Sequence, residues 1–199
     1  MFTGIVQTLG IVQSLTPSQD GLVLRIRADY EDLAVGESVA VDGVCLSVTP
    51  EKDGTFSAHA SKRTLADTTF GELNPNHTVH LERAALPSTR LGGHIVTGHV
   101  DGLSTLVERT EEGDCLVARF SAPPQLMRYI ASKGSVALNG VSLTVNGLSD
   151  LAFDVTLIPL TLHGTCFGAY SIGTHVNLEV DLVSKYVVRF LETSPSYVA

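Results

Sequence analysis

The chain has 199 residues, 44% of them hydrophobic and 17% charged, with a formal net charge of −8. That length admits one large domain or two small ones, since domains commonly run about 100–150 residues. The acidic balance lacks the basic footprint that nucleic-acid phosphates or anionic lipid surfaces demand, so neither is expected as a partner.

The opening residues, MFTGIVQTLG, carry no basic flank and no long apolar run, so neither a signal peptide nor a membrane span is read there. GLVLRIRA (21–28) and SVAVD (38–42) alternate apolar and polar positions over short lengths, as half-buried strands do. Asp42-Gly43 suits the two φ > 0 positions of a two-residue hairpin. In the strand that follows, VCLSV, alternation puts Val44, Leu46 and Val48 on one face and Cys45 and Ser47 on the other. Asp53-Gly54 marks another turn, and HASKRT (59–64) leads from a strand into a short helix expected over 62–68. VHLE (79–82) is again strand-like, and LPSTRLGG (86–93) reads as a linker.

Beyond the linker the chain writes the same text again. VDGVCLSV at 41–48 returns as LNGVSLTV at 138–145, ninety-seven positions on, with Asn139-Gly140 in the turn. At that offset Ser38-Val39-Ala40 falls on Ser135-Val136-Ala137, Phe56 on Phe153, Thr64-Leu65 on Thr161-Leu162, Phe70-Gly71 on Phe167-Gly168, and VHLE on VNLE. Upstream the register slips by a few residues, so that GIV at Gly4 meets GHV at Gly98. Self-similarity at this period means two copies of one domain. About six strand candidates per copy are too many for one open sheet of such length, which favours a small closed barrel. The expected layout is a barrel over 1–88, a barrel over 89–183, and a helix with tail over 184–199.

Helices are expected over 124–132, where Pro124 and Gly134 fit the usual termini, and over 161–166. In the tail, Tyr186, Val187, Phe190 and Leu191 form an apolar stripe on a helix that has no counterpart in the first copy. That stripe either packs on its own barrel or meets another subunit. Cys45, Cys115 and Cys166 form neither a CxxC motif nor a disulfide framework, so reduced thiols and a cytoplasmic setting are expected. His94 and His99, five apart, diverge on a strand, as do His77 and His80, and no metal site is expected. His99 is either a surface residue or an acid, base or hydrogen-bond partner, because GHV replaces GIV there. Lys133 is read as a partner of the preceding helix's C-terminal dipole or as a ligand contact.

MFTGIV, GVCLSV, LERA, GGHIVTGHVDG, KGSVALNGVSLTV and the LIP–TL segment, in order and in both halves, resemble the riboflavin synthase family. The resemblance implies two similar six-stranded Greek-key barrels per subunit, a homotrimer assembled with the C-terminal helix, and active sites between neighbouring subunits. It also implies a dismutation of two 6,7-dimethyl-8-ribityllumazine molecules by four-carbon transfer, giving riboflavin and 5-amino-6-ribitylaminouracil without cofactor or metal, and an association with lumazine synthase. Carried over by motif, Gly4, Ile5, Val6, Cys45, Leu46, Ser47, His59, Ala60, Ser61, Lys62, Arg63 and Thr64 line an N-terminal pocket. Gly98, His99, Val100, Lys133, Ser142, Leu143, Thr144, Thr156, Leu157, Ile158, Pro159, Leu160 and Thr161 line a C-terminal one, and Phe2 covers a pocket edge. Cys45, His99, Ser142 and Asp181 are the catalytic candidates. The swaps of Cys45 for Ser142 and Ile5 for His99 make the two pockets chemically unequal, as a donor and an acceptor of the same molecule require. Asn139 departs from the family's more frequent Asp, Arg63 from Glu and Ser47 from Thr; His163-Gly164 also depart. Lumazine proteins share this double barrel, so an optical binder is the rival reading.

Overall fold

The computed structural model describes residues 1–194. Both repeats fold as closed antiparallel barrels of six strands. In the first, β1 (Thr8–Ser18), β2 (Gly21–Arg27), β3 (Ser38–Val41), β4 (Val44–Pro50), β5 (Thr55–Ser61) and β6 (Thr78–Arg83) pair in the order β1-β2-β5-β4-β3-β6 and back to β1. In the second, β7 (Gly102–Glu112), β8 (Cys115–Ser121), β9 (Ser135–Leu138), β10 (Val141–Leu148), β11 (Ala152–Leu157) and β12 (His175–Val180) repeat that order. Three hairpin-connected strands whose fourth returns beside the first make a Greek key. Each barrel bends at its long first strand. The pairing of β1 with β2 slips between Val12 and Ser14, and that of β7 with β8 between Leu106 and Glu108. A bulge adds one residue and raises the local twist, which helps so few strands close.

Alternation fills the barrels as the sequence predicts. Val44, Leu46 and Val48 are buried while Cys45 and Ser47 look outward, and Val141, Leu143 and Val145 oppose Ser142 and Thr144 in the same way. Phe56 and Phe153 sit at matched central positions, and Phe153 stacks on Phe120 with ring centroids 6.1 Å apart. Phe153→Ala is expected to cost about 3–5 kcal/mol through lost burial and a residual cavity. Its urea midpoint should fall accordingly, and a midpoint near that of the parent would contradict this ring's central role.

The barrels meet across a pseudo-twofold seam. Asp42-Gly43 (φ 43° and 77°) and Asn139-Gly140 (φ 45° and 78°) adopt the expected hairpin turns. They pack so closely that a Cβ on Gly43 would stand 2.5 Å from the Gly140 nitrogen. Asn177 donates from Nδ2 to the Asp42 carbonyl (2.8 Å) and accepts from the Thr69 N–H (2.8 Å). His80, its equivalent, bonds the Asn139 carbonyl through Nδ1 (3.0 Å) and accepts from the Cys166 N–H at Nε2 (2.8 Å). Those partners require the proton on Nδ1, so a neutral imidazole does the work of a carboxamide.

Among the described residues four α-helices decorate the barrels: α1 (Lys62–Asp67), α2 (Pro124–Met127), α3 (Pro159–Gly164) and α4 (Leu182–Thr193). The second is shorter than expected. Met127 and Ile130, three apart, both enter the core, and the Tyr129 and Ile130 N–H groups bond carbonyls three residues back, so the chain tightens into turns. Lys133 therefore lies beyond that helix, in a left-handed conformation (φ 63°), and cannot serve its dipole. The third helix starts earlier than 161 because Pro159, with φ preset, occupies its first turn. The fourth also starts early, since Asp181 Oδ1 accepts the Val183 N–H (2.9 Å) as a cap. Ion pairs Lys185–Asp101 (2.8 Å) and Arg128–Glu192 (2.6 Å) tether α4 to the second barrel. Its stripe stays uncovered: Tyr186 is 71% exposed and Phe190 62%. The rest of the expected tail, 195–199, lies outside the described residues. Among the described residues no helix is long and apolar enough to cross a membrane.

Candidate functional site

Each barrel offers an outward strand face of small side chains beside a short helix. In the first, Cys45 and Ser47 on β4 stand near the β5–α1 junction. Ser61 caps α1 there by accepting the Thr64 N–H (3.1 Å). In the second, Ser142 and Thr144 on β10 stand near the β11–α3 junction, where Ile158-Pro159 replace the serine cap. The difference is chemical: one junction presents Ser61 and Lys62, the other the exposed apolar side chains of Ile158 and Leu160.

The segments that complete these faces are exchanged between the barrels, which corrects the pocket membership expected from sequence. Gly4 does not join Cys45. Its carbonyl accepts the Ser142 N–H (2.8 Å), and Val6 packs on the second barrel's core. Conversely the Gly98 carbonyl accepts the Cys45 N–H (2.9 Å), and Val100 packs on the first barrel's core. Both glycines have positive φ (76° and 79°), and a Cβ on either would lie 2.6 Å from the Cβ of Ser142 or Cys45. No other residue fits such an approach. The physical reason for the exchange is an antiparallel pair on the seam. The Phe2 N–H donates to the Val96 carbonyl (2.7 Å) and the Val96 N–H to the Phe2 carbonyl (3.1 Å), so each segment runs past its own barrel onto the other. Phe2 is itself buried on that seam, with Ala40, Val96 and Ala137, behind Gly98.

Two carboxylates hold the exchanged segments. Glu82 accepts from the Thr3 N–H (2.6 Å), the Thr3 hydroxyl (2.7 Å) and the Gly4 N–H (3.0 Å). Glu179 does the same for the Thr97 N–H (2.7 Å), its hydroxyl (2.7 Å) and the Gly98 N–H (2.9 Å). Burial pushes the Glu82 carboxyl above its ordinary range, and the Thr3 and Gly4 donors pull partly against that.

Beside Ser142 stands a residue the sequence reading weighed only as a metal ligand. His94 Nδ1 lies 2.7 Å from Ser142 Oγ. Burial lowers the His94 imidazole below its usual range, while the charges of Asp181 and Glu179 oppose that shift. It is thus a neutral base at neutral pH. Cys45 Sγ has no imidazole hydrogen-bonded to it among the described residues. Further out on the second barrel, Lys133 Nζ donates to Asn146 Oδ1 (3.1 Å), and Asn146 Nδ2 donates to Thr156 Oγ1 (2.9 Å). His99 is exposed on the first barrel's face.

Other expected residues contribute less. Leu46, Leu143, Ala60 and Leu157 turn their side chains into the cores, so only their main chain faces outward. His59 is bonded to Ser18 (3.0 Å), and Arg63 pairs with Asp67 on its own helix. Asp181 is the cap of α4 and acts on His94 through charge. His94, Glu82 and Glu179 were missed. The two glutamates end the repeated VHLE and VNLE strands, and a charge kept on a matched, core-adjacent strand was the signal available.

The lumazine binding domain family matches the chain twice, over residues 3–84 and 97–181. A riboflavin synthase of Mycobacterium bovis is 44% identical over 98% of this chain and 100% of its own length. Another, of Actinobacillus pleuropneumoniae, is 41% identical over 98% of this chain and 92% of its own. The crystal structure of LumP complexed with 6,7-dimethyl-8-(1'-D-ribityl) lumazine is similar at a TM-score of 0.81 and 27% identity, across 90% of this chain and 99% of that one. Two matched domains and full-length likeness to these enzymes show that the chain belongs to the lumazine binding domain family, alongside the riboflavin synthases.

Proposed function

We infer that the chain is a riboflavin synthase. It takes two molecules of 6,7-dimethyl-8-ribityllumazine, moves a four-carbon unit from one to the other, and releases riboflavin and 5-amino-6-ribitylaminouracil. The full-length identity to such enzymes carries this reading. The unlike pockets agree with it. The second barrel's face carries Ser142 bonded to His94, while the first carries Cys45 beside the segment of His99.

The chemistry begins with an acidic proton on the C7 methyl group, whose anion is delocalised into the heterocycle. Ser142 and His94 are placed to take it: with the hydroxyl donating to Nδ1, Ser142 Oγ receives the methyl proton as its own proton passes to the imidazole. This general-base role is worth about 10²–10⁴-fold. Cys45 and His99 serve the partner molecule as nucleophile holder and proton donor. Alignment of the two rings supplies a further share of the acceleration, several kcal/mol or more.

Both faces are open shelves, with Ser47, His99, Thr144, Ile158 and Leu160 exposed. A neighbouring subunit covers them, so that the first barrel of one meets the second barrel of the next in a trimer built on α4. The exposed apolar stripe of α4 supports that assembly.

Purified protein given only the lumazine should form riboflavin, with two substrates consumed per product. Tight binding without riboflavin would instead favour the optical-binder reading, which the likeness to LumP raises.

A further inference from the structure

We propose that Glu82 and Glu179 are crossed positioning residues: each carboxylate, rooted in one barrel, fixes the segment that completes the substrate pocket of the other. Glu82 stands on β6 of the first barrel, yet the Thr3-Gly4 segment it holds lies against Ser142 of the second. Glu179 stands on β12 of the second barrel, yet the Thr97-Gly98 segment it holds lies against Cys45 of the first. The proposal rests on the riboflavin synthase reading only in naming those two faces as the pockets.

The choice of residue argues for positioning. Both glutamates are nearly sealed from solvent, at 5% and 3% exposure, and among the described residues neither forms a salt bridge, although the charge of the N-terminal ammonium reaches Glu82. A buried carboxylate without a salt bridge is costly, and an apolar side chain in its place would orphan two backbone N–H groups, so the three donors it holds are what offset that cost. An ionised carboxylate is acceptor-only and presents two oxygens to three converging donors. A glutamine would turn its NH₂ toward one of the N–H groups and repel it. The segments need that grip because each glycine sits at positive φ with its backbone almost touching a strand residue of the other barrel. Small displacements there move His99 over Cys45, or Ile5 over Ser142, without unfolding either core.

The crossing makes the test specific. Glu179→Gln should loosen the cover of Cys45 and speed its alkylation by iodoacetamide severalfold, followed by peptide mass spectrometry in the ligand-free protein. It also removes a charge that acts on His94, so the His94 imidazole NMR signals are read in Thr97→Val, which keeps that charge and should leave them in place while still speeding Cys45 alkylation. Glu82→Gln should do the reverse, shifting the His94 signals while the Cys45 alkylation rate stays at the parent value. Each variant should also lower kcat on the order of a hundredfold, the scale expected when reacting groups are misplaced by about 1 Å. Thr97→Val and Thr3→Val each remove one donor and leave both carboxylate charges in place; Thr97→Val should speed Cys45 alkylation and Thr3→Val should shift the His94 signals, each by a smaller amount than its glutamate variant moves that probe. Glu82→Gln, Thr3→Val or Thr97→Val moving the wrong probe, both probes or neither, or Glu179→Gln leaving Cys45 alkylation unchanged, would overturn the proposal. Alkylation and NMR need no turnover, so this outcome is independent of whether the protein forms riboflavin.

Discussion

Replacing His94 by glutamine should lower the rate of riboflavin formation by about 10²–10⁴-fold, the range for loss of a placed general base. Glutamine keeps the hydrogen bond to Ser142 but cannot accept the proton, so substrate binding should change little and the loss should fall in kcat. The pH profile gives a second reading. Burial lowers the His94 pKa, so the imidazole remains neutral through the ordinary histidine value of about 6.5 and protonates only below it. The parent enzyme should therefore hold its activity on mild acidification and lose it at lower pH, and His94→Gln should lack that acid limb. Asp181→Asn sharpens the point. Asparagine still caps α4, but it removes a negative charge that raises the His94 pKa, so the acid limb should move to lower pH. Undiminished turnover in His94→Gln would remove the dyad from the mechanism.

Truncation after Ser184 should give folded monomers with activity reduced on the order of a hundredfold or more. Helix α4 buries no residue completely, and Val183, Tyr186, Val187, Phe190 and Leu191 all face outward. Covering such side chains is worth about 1.5–3 kcal/mol each when burial is complete, so a trimer built on them should lose its main drive when they are removed. The barrels should survive, because their cores lie within the strands and α4 is joined to the second by two ion pairs. Sedimentation velocity and turnover measured on the same sample check both halves. Tyr186→Glu with Phe190→Glu keeps the helix in place while spoiling its outer face, and it should behave like the truncation. An intact trimer after either change would locate the interface elsewhere.

Much of the fold was legible beforehand because its determinants are local. The Asp42-Gly43 and Asn139-Gly140 turns, the alternation around Cys45 and Ser142, and the repeat offset each require only a few neighbouring residues and the period-two geometry of a strand. Helix ends were read less well. Pro159 and Asp181 set the starts of α3 and α4, and the two core anchors Met127 and Ile130 cut α2 short, each by a contact that the apolar pattern alone does not carry.

The site divides along the same line. Sequence by itself determined that there are two related faces, that they differ by a thiol against a hydroxyl, and that a glycine segment accompanies each. Tertiary structure alone decided which segment serves which face. The Phe2–Val96 pairing carries both segments across the seam, and Glu82 and Glu179 fasten them there. It also brought His94 to Ser142, forty-eight positions along the chain. Such pairings depend on where two closed barrels dock. That docking arises from backbone contact at the turns and from His80 and Asn177 reaching across the seam, which no periodicity in one repeat encodes.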